Sequence, residues 1–183
     1  MDLHFITSNK NKIIELTQFL NYPVTYIDLD LIEIQSLDLR EIVEHKAKEA
    51  YSQIQKPVLV DDVSLIFHAL NSLPGPLVKW FVKSIENAGL CKLLNENEDR
   101  KAIAEVAYGF YDGKEFQYCN GTINGSIAHS PKGLNGFGWD AIFIPTGYQK
   151  TRGEMNPEEQ NNTSMRKIAL KKLQLYLDSN TTI

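Results

Sequence analysis

Cysteine is scarce in this chain. Cys91 and Cys119 are the only two in 183 residues, and neither lies in a CxxC or a His/Cys ligand spacing. That excludes a disulfide scaffold and a structural zinc site, and it fits a reducing compartment. An excess of positive charge is missing too. Nineteen Lys and Arg against 23 Asp and Glu give a formal net charge of -4, the wrong sign for a general nucleic-acid-binding surface. No apolar run approaches the roughly 18 residues of a membrane span. Met1-Asp2-Leu3-His4 is too polar to open a signal peptide. Neither GxxxxGK[ST] nor GxGxxG occurs, which removes the P-loop and dinucleotide-binding folds. Repeats, low-complexity tracts and linkers are absent as well. The chain therefore reads as a cytosolic protein with no membrane and no nucleic-acid partner, and a small anionic ligand bound by local lysines remains compatible with it.

What is present is an ordinary globular composition, 43% hydrophobic and 23% charged, long enough for one well-buried domain over 1–183. Leu3 to Thr7 is a short apolar run, followed by the polar loop Ser8-Asn9-Lys10-Asn11-Lys12 and a helical stripe of Ile13, Leu16, Phe19 and Leu20. Val24, Tyr26 and the stretch Asp28 to Ile34 predict one or two further strands, with Glu33 closing the last. Leu39 to Ile54 predicts a helix whose inward stripe (Leu39, Ile42, Val43, Lys46, Ala47, Ala50, Tyr51, Ile54) carries one charge, Lys46. Such a lysine either snorkels or points into a site.

Val58-Leu59-Val60 predicts a buried strand ending at Asp61-Asp62. A helix follows Pro74-Gly75-Pro76 between Leu77 and Leu94. Ala102 to Tyr111, the turn at Asp112-Gly113 and Phe116 to Ile127 predict a hairpin. A glycine-rich loop, Gly133 to Gly138, leads to a short strand at Ala141 to Ile144. The last helix is capped by Ser164 and has Met165, Ile168, Ala169, Leu173, Tyr176 and Leu177 on its apolar stripe. This order predicts an α/β fold with a mixed sheet.

Three groups of residues carry chemistry. Asp61, Asp62 and Glu33 close apolar strands, where open α/β sheets place ligands, and an oxygen-rich set suits magnesium held against phosphate. Strand alternation allows only one of the two aspartates to face a given cleft, and solvated strand-end acids would look the same. Lys10 and Lys12 lie where a helix start already favours an anion. With Lys46 and with Lys79, which follows the Pro-Gly-Pro turn, they offer several of the charges a triphosphate needs. Gly136-Phe137-Gly138-Trp139-Asp140 combines two glycines for close approach, two aromatic faces and an acid that can accept from a ring N–H. Core aromatics are the competing reading, but flanking glycines do nothing for a core strand.

In order along the chain, these blocks resemble the inosine triphosphate pyrophosphatase family: Thr7-Ser8-Asn9-Lys10-Asn11-Lys12-Ile13-Ile14-Glu15-Leu16, Glu33-Ile34-Gln35, Pro57 to Asp62, Leu73 to Pro76 with Lys79-Trp80-Phe81, Gly136 to Asp140, Glu154-Met155 and Ser164-Met165-Arg166. The resemblance runs from about Phe5 to Leu177. It implies an elongated mixed sheet flanked by helices, two lobes with a central cleft, and a homodimer. It further implies a magnesium-dependent enzyme, with manganese as the alternative metal, that cuts ITP, dITP or XTP to the monophosphate and pyrophosphate. Thr7, Ser8, Asn9, Lys10, Asn11 and Lys12 would hold phosphates. Glu33, Asp61 and Asp62 would place the metal, Asp62 would activate water, and Lys46 and Lys79 would contact the triphosphate. Phe137, Gly138, Trp139 and Asp140 would line the purine pocket, with Gln160, Met165 and Arg166 reading the base edge.

The chain departs from that family at three places. Val63 replaces a Ser or Thr beside the acidic pair, Gln160 replaces a Lys, and Met165 replaces a His. The last two changes remove donors from the base-reading positions. They leave open a pyrophosphatase of altered base preference, or a nucleotide binder and sensor that does not hydrolyse.

Overall fold

The computed structural model describes residues 2–96 and 99–180. Seven strands form one mixed sheet, flanked by helices, in the order β2-β1-β3-β5-β6-β7, with β4 paired to β3. Strand β1 (Leu3–Ile6) is buried along its whole length and lies parallel to both β2 (Val24–Ile27) and β3 (Val58–Phe67). Strands β5 (Lys101–Tyr111) and β6 (Phe116–Ile127) are joined by a short turn in which Asp112 Oδ1 accepts from the N–H groups of Lys114 and Glu115. Strand β7 (Phe143–Pro145) runs antiparallel to β6, and β4 (Pro74–Gly75) antiparallel to β3.

The chain divides into two compact units: Met1–Asp62, Val106–Gly121 and Arg166–Ile183 make one, Val63–Glu105 and Thr122–Met165 the other. Strands β3, β5 and β6 contribute residues to both. The first unit's core is built by helix α2 (Leu39–Ile54), whose Leu39, Val43, Ala47 and Ala50 pack with Ile6, Val58, Val60 and Ala107. Each fully buried Val, Leu or Ile side chain among them contributes about 1.5–3 kcal/mol. Asp38 caps α2 by accepting from Arg40 N, and Gln55 ends it in the left-handed conformation before Pro57. In the second unit, Leu65, Phe67, Ile127, Trp139, Ile142 and Phe143 surround the inner face of helix α3 (Val78–Lys92).

Four expectations need correction. Helix α1 (Lys10–Phe19) begins at Lys10, so Lys10, Asn11 and Lys12 form its first turn and are not loop residues. Asp28 to Ile34 joins no strand. Leu29 and Leu31 pack on the core without a ladder partner, and the Ile32 N–H donates to Glu49 Oε1. Glu33 is therefore not a strand end. Strand β3 continues to Phe67, which puts Asp61 and Asp62 in mid-strand. On the last helix, α5 (Met165–Asn180), Ile168 is exposed, and Arg166 and Leu170 take places on the buried stripe. A further helix, α4 (Pro157–Asn162), is opened by an Asn156/Glu159 capping box. No helix among the described residues is long and apolar enough to cross a membrane.

Helix α3 breaks at Glu86, whose φ of 58° and ψ of 179° lie in a region otherwise kept for glycine. Strain of this kind costs on the order of 1–3 kcal/mol. Glu86→Gly is expected to raise the urea unfolding midpoint with an unchanged m-value, by about 1 kcal/mol once glycine's extra chain entropy is offset; an unchanged or lower midpoint would show that the backbone is not strained there.

Candidate active site

Two groups of side chains stand out, one in each unit. The first is a chain of charges around Asp61. Asp61 is 2% exposed in the interior strand β3, and neither of its oxygens is left to solvent. Lys12 Nζ, from the first turn of α1, donates to Oδ1 at 2.8 Å, and Arg166 Nη1, from the first turn of α5, donates to Oδ2 at 2.6 Å. Arg166 is itself 2% exposed, with Nε 2.6 Å from Glu15 Oε2 and Nη1 3.1 Å from the Tyr108 hydroxyl.

Burial alone would raise the Asp61 pKa, but Lys12 and Arg166 outweigh it and hold the carboxyl well below its usual range. Burial opposes the charge of Arg166 too, and Tyr108, Asp61 and Glu15 reverse that, so the guanidinium stays charged. Burial, with the nearby carboxylates, keeps the Tyr108 phenol protonated.

Asp62, the next residue, points the other way, as strand alternation requires. Lys46, buried on the inner stripe of α2, brings it together with Glu33. Its Nζ lies 3.1 Å from Glu33 Oε1, 3.1 Å from the Asp61 carbonyl oxygen and 3.3 Å from Asp62 Oδ2. Burial would lower the Lys46 pKa, but Asp62, Asp61 and Glu33 together raise it above the ordinary value. The side chains of Glu33 and Asp62 remain 40% and 23% exposed, against 10% for Lys46, so both carboxylates keep access to an incoming ligand.

Among the described residues no three Asp, Glu, His or Cys side chains gather as a ready ligand set. The Asp61 carboxylate does not join Glu33 and Asp62 at Lys46; only its backbone carbonyl does. An all-oxygen pair of carboxylates nevertheless suits magnesium, which keeps several waters and takes one or two carboxylates plus phosphate oxygens.

The first turn of α1 completes this unit's group. Thr7 Oγ1 accepts from Asn9 N and Asn9 Oδ1 accepts from Asn11 N, a double turn that sets the helix entry. Thr7 is half-buried and Ser8 to Asn11 are exposed, with Lys12 turned inward onto Asp61.

The second group is the loop Gly136 to Asp140. Gly136 has φ of 77°, and a Cβ there would collide with the Asp140 carboxylate. Asp140 is buried, with Oδ2 accepting from Phe137 N at 2.9 Å and Oδ1 from Arg152 Nε at 2.7 Å. Asn87, just past the break in α3, donates to the Gly138 carbonyl at 2.9 Å. Trp139 is buried against Phe143, with the rings edge to face, whereas Phe137 is half-buried.

Backbone stitching holds the loop to the 3-10 turn Arg152–Glu154: Asn135 N to the Gly153 carbonyl and Gly153 N to the Asp140 carbonyl, with a Cβ at Gly133 excluded by the Gly153 backbone and a Cβ at Gly153 by the Lys132 carbonyl and Ala141. Gln160, on α4, donates its amide N–H to the Arg152 carbonyl. Val63 and Met165 pack against the second unit's core. Lys79 is exposed in the first turn of α3, with its ammonium 5.7 Å from the Trp80 ring centre.

Sequence reasoning missed Arg152, Asn87, Glu15 and Tyr108. Tyr108 read as a core aromatic. Glu15 lay inside a recognised block but was assigned no role. Arg152 and Asn87 sit in segments whose pattern marked only a turn and a helix. Arg166 was expected at the base edge, yet its guanidinium is committed to Asp61, Glu15 and Tyr108.

Residues 3–176 match the Ham1 family. An inosine triphosphate pyrophosphatase of Scheffersomyces stipitis is 40% identical, covering 96% of this chain and 97% of its own length. A dITP/XTP pyrophosphatase of Saccharolobus solfataricus is 38% identical, with 96% and 93% covered. Among solved structures, a HAM1 protein from Coxiella burnetii superimposes with a TM-score of 0.86 at 28% identity, covering 98% and 99%. The Staphylococcus aureus Ham1 protein gives 0.83 at 26%, covering 98% and 100%.

The charge chain sets a stability prediction. Removing one partner of a buried ion pair costs about 3–5 kcal/mol, so Arg166→Met should lower the urea-derived stability by that order. Because the folded-state pKa of Asp61 is depressed, its contribution is present above the unfolded value, about 3.9, and is lost as pH falls toward the folded one. Unfolding measured from pH 6 down to pH 2.5 should therefore show a shallower loss in Asp61→Asn than in the wild type. Equal slopes would mean that Asp61 is not held by the two cations.

Proposed function

The chain belongs to the Ham1 family, and from that premise we propose that it hydrolyses non-canonical purine nucleoside triphosphates, ITP, dITP and XTP, to the monophosphate and pyrophosphate. Its role is to clear such nucleotides from the cytosolic pool. The observation that carries the reading is the Lys46 ammonium bridging Glu33, Asp62 and the Asp61 carbonyl beside a helix start that carries Lys12. A binder needs cations for phosphate but has no use for a carboxylate aimed by an ammonium. The 40% identical inosine triphosphate pyrophosphatase and the 38% identical dITP/XTP pyrophosphatase support the same reaction.

In this proposal the first turn of α1 and Lys12 take the phosphates, where helix N–H groups favour an anion. Lys46 orients the Asp62 carboxylate. Asp62 accepts a proton from the water whose oxygen attacks the α-phosphorus; the bond from that phosphorus to the bridging oxygen breaks, and pyrophosphate leaves. Lys12, Lys46 and Lys79 offset the charge on the departing group.

Glu33 and Asp62 are the residues that would hold magnesium, or manganese in its place, and a bound ion would neutralise charge developing on the phosphates. Asp61 acts through Lys12 in this scheme. Phe137 and the glycines around it take the base. Two free, buried cysteines support a reducing compartment, and a homodimer is proposed on the family resemblance.

The test is pyrophosphate release from ITP, XTP, dITP, GTP, ATP and UTP, with and without magnesium. Magnesium-dependent release led by ITP and XTP is expected, and Asp62→Asn should lower kcat by about 10²–10⁴-fold. Release spread across ATP and UTP would point to a redirected base pocket. Tight ITP binding without release would replace the enzyme reading by a sensor. A light-scattering mass near a single 20.8 kDa chain would rule out the dimer.

A further inference from the structure

The base-reading end of this chain is short of donors. Met165 has none, the Gln160 amide is turned to the Arg152 carbonyl, to which one of its N–H groups donates at 2.9 Å, and the Arg166 guanidinium serves Asp61, Glu15 and Tyr108. Both oxygens of Asp140 are engaged within the protein, Oδ1 by Arg152 Nε and Oδ2 by Phe137 N.

Arg152 is the exception. Its side chain is 11% exposed, and Nη1 donates to the carbonyls of Gln160 at 3.1 Å and Thr163 at 2.7 Å and lies 2.8 Å from Thr163 Oγ1. With Nε on Asp140, the planar group is held from two sides. Nη2 has no protein partner among the described residues, although it shares with Nε the edge of the guanidinium turned to Asp140. A fixed, charged N–H pair beside the Phe137 loop is a preorganised donor.

We propose that Arg152 is a specificity-determining residue: Nη2 donates to a ring carbonyl of the bound base and so favours 6-oxopurines over purines that lack that oxygen. The inference rests on the pyrophosphatase reading of the chain. Guanidinium groups pair with the carbonyl and ring-nitrogen acceptors of oxopurines, whereas the exocyclic amino group of adenine would meet Nη2 donor to donor. A hydrogen bond from a charged group to a substrate oxygen discriminates strongly, because the analogue without the oxygen leaves that donor desolvated and unpaired. The charge that a lysine at position 160 would bring to this pocket is thus supplied from position 152.

The test compares kcat/KM for ITP and for purine riboside triphosphate, which lacks the 6-oxygen, in the wild type, Arg152→Lys and Arg152→Gln. The wild type should prefer ITP by about tenfold or more. Arg152→Lys keeps a cation for Asp140 but loses the fork, so it should cut kcat/KM for ITP about tenfold while changing the other substrate by less than about threefold. Parallel losses on both substrates would reduce Arg152 to a clamp for Asp140 and overturn the proposal, and so would an unchanged ratio. If neither variant shows a cooperative melt, the wild-type comparison decides, and equal kcat/KM for the two triphosphates overturns it. If the wild type releases no pyrophosphate from any triphosphate, the enzyme reading fails instead, and the same comparison is read from dissociation constants.

Discussion

Asp61 is a carboxylate in the interior of a sheet, and its neutralisation is the constraint to which the surrounding elements answer. An isolated ion there would cost several kcal/mol in lost hydration. Lys12 from α1, Arg166 from α5 and the strand itself meet at its two oxygens, with Glu15 and Tyr108 completing the partners of Arg166. Removing Lys12 or Arg166 would leave one Asp61 oxygen without its cation. The arrangement fixes the entry of two helices, and it sets the direction of Lys12, whose ammonium is held at the foot of the exposed turn Ser8 to Asn11. A hydrophobic replacement of the whole group would satisfy burial equally well, but it would remove the Lys12 ammonium from the foot of that turn.

The two units solve the same problem of rigidity by different means. In the first, side-chain charges hold backbone elements in place. In the second, backbone holds backbone: the loop from Gly133 to Asp140 is laced to Gly153 by main-chain hydrogen bonds and by contacts too close for any Cβ. Arg152 and Asp140 then lie beside one another as a consequence of that lacing, and their ion pair needs no reorganisation to form.

Much of the fold was readable from the chain. Helix α2 and strand β6 run over the residues that periodicity indicates, because each has a long amphipathic pattern and clear stop signals at Pro57 and Asp112-Gly113. The buried Lys46 stood out as the one charge on an apolar stripe. The errors have physical causes. Asp61-Asp62 looks like the end of a strand because a charged pair is normally a boundary, and only the distant Lys12 and Arg166 make an interior aspartate tolerable. Asp28 to Ile34 alternates like a strand but finds no ladder, since Leu29 and Leu31 bury themselves without one. The capping box at Asn156 and Glu159 was a local signal that could have located α4 and, with it, the carbonyls that orient Arg152. The roles of Arg152 and Asn87 depend on contacts across 12 and 51 residues, and no local pattern announces those.

Asp61 and Asp62 are chemically identical neighbours with different partners, and only the parity of β3 tells them apart. A single-codon insertion between Val58 and Asp61, absorbed by a slip of the strand, would leave composition, charge and hydropathy almost unchanged and yet exchange the two faces. The carboxylate now held by two cations would turn toward Lys46, and its neighbour would enter the core. Reading-frame-preserving length changes in this short stretch should therefore be far less tolerated than substitutions on either side of it. The information that separates the position held by two cations from the one turned to Lys46 is carried by counting, not by residue type.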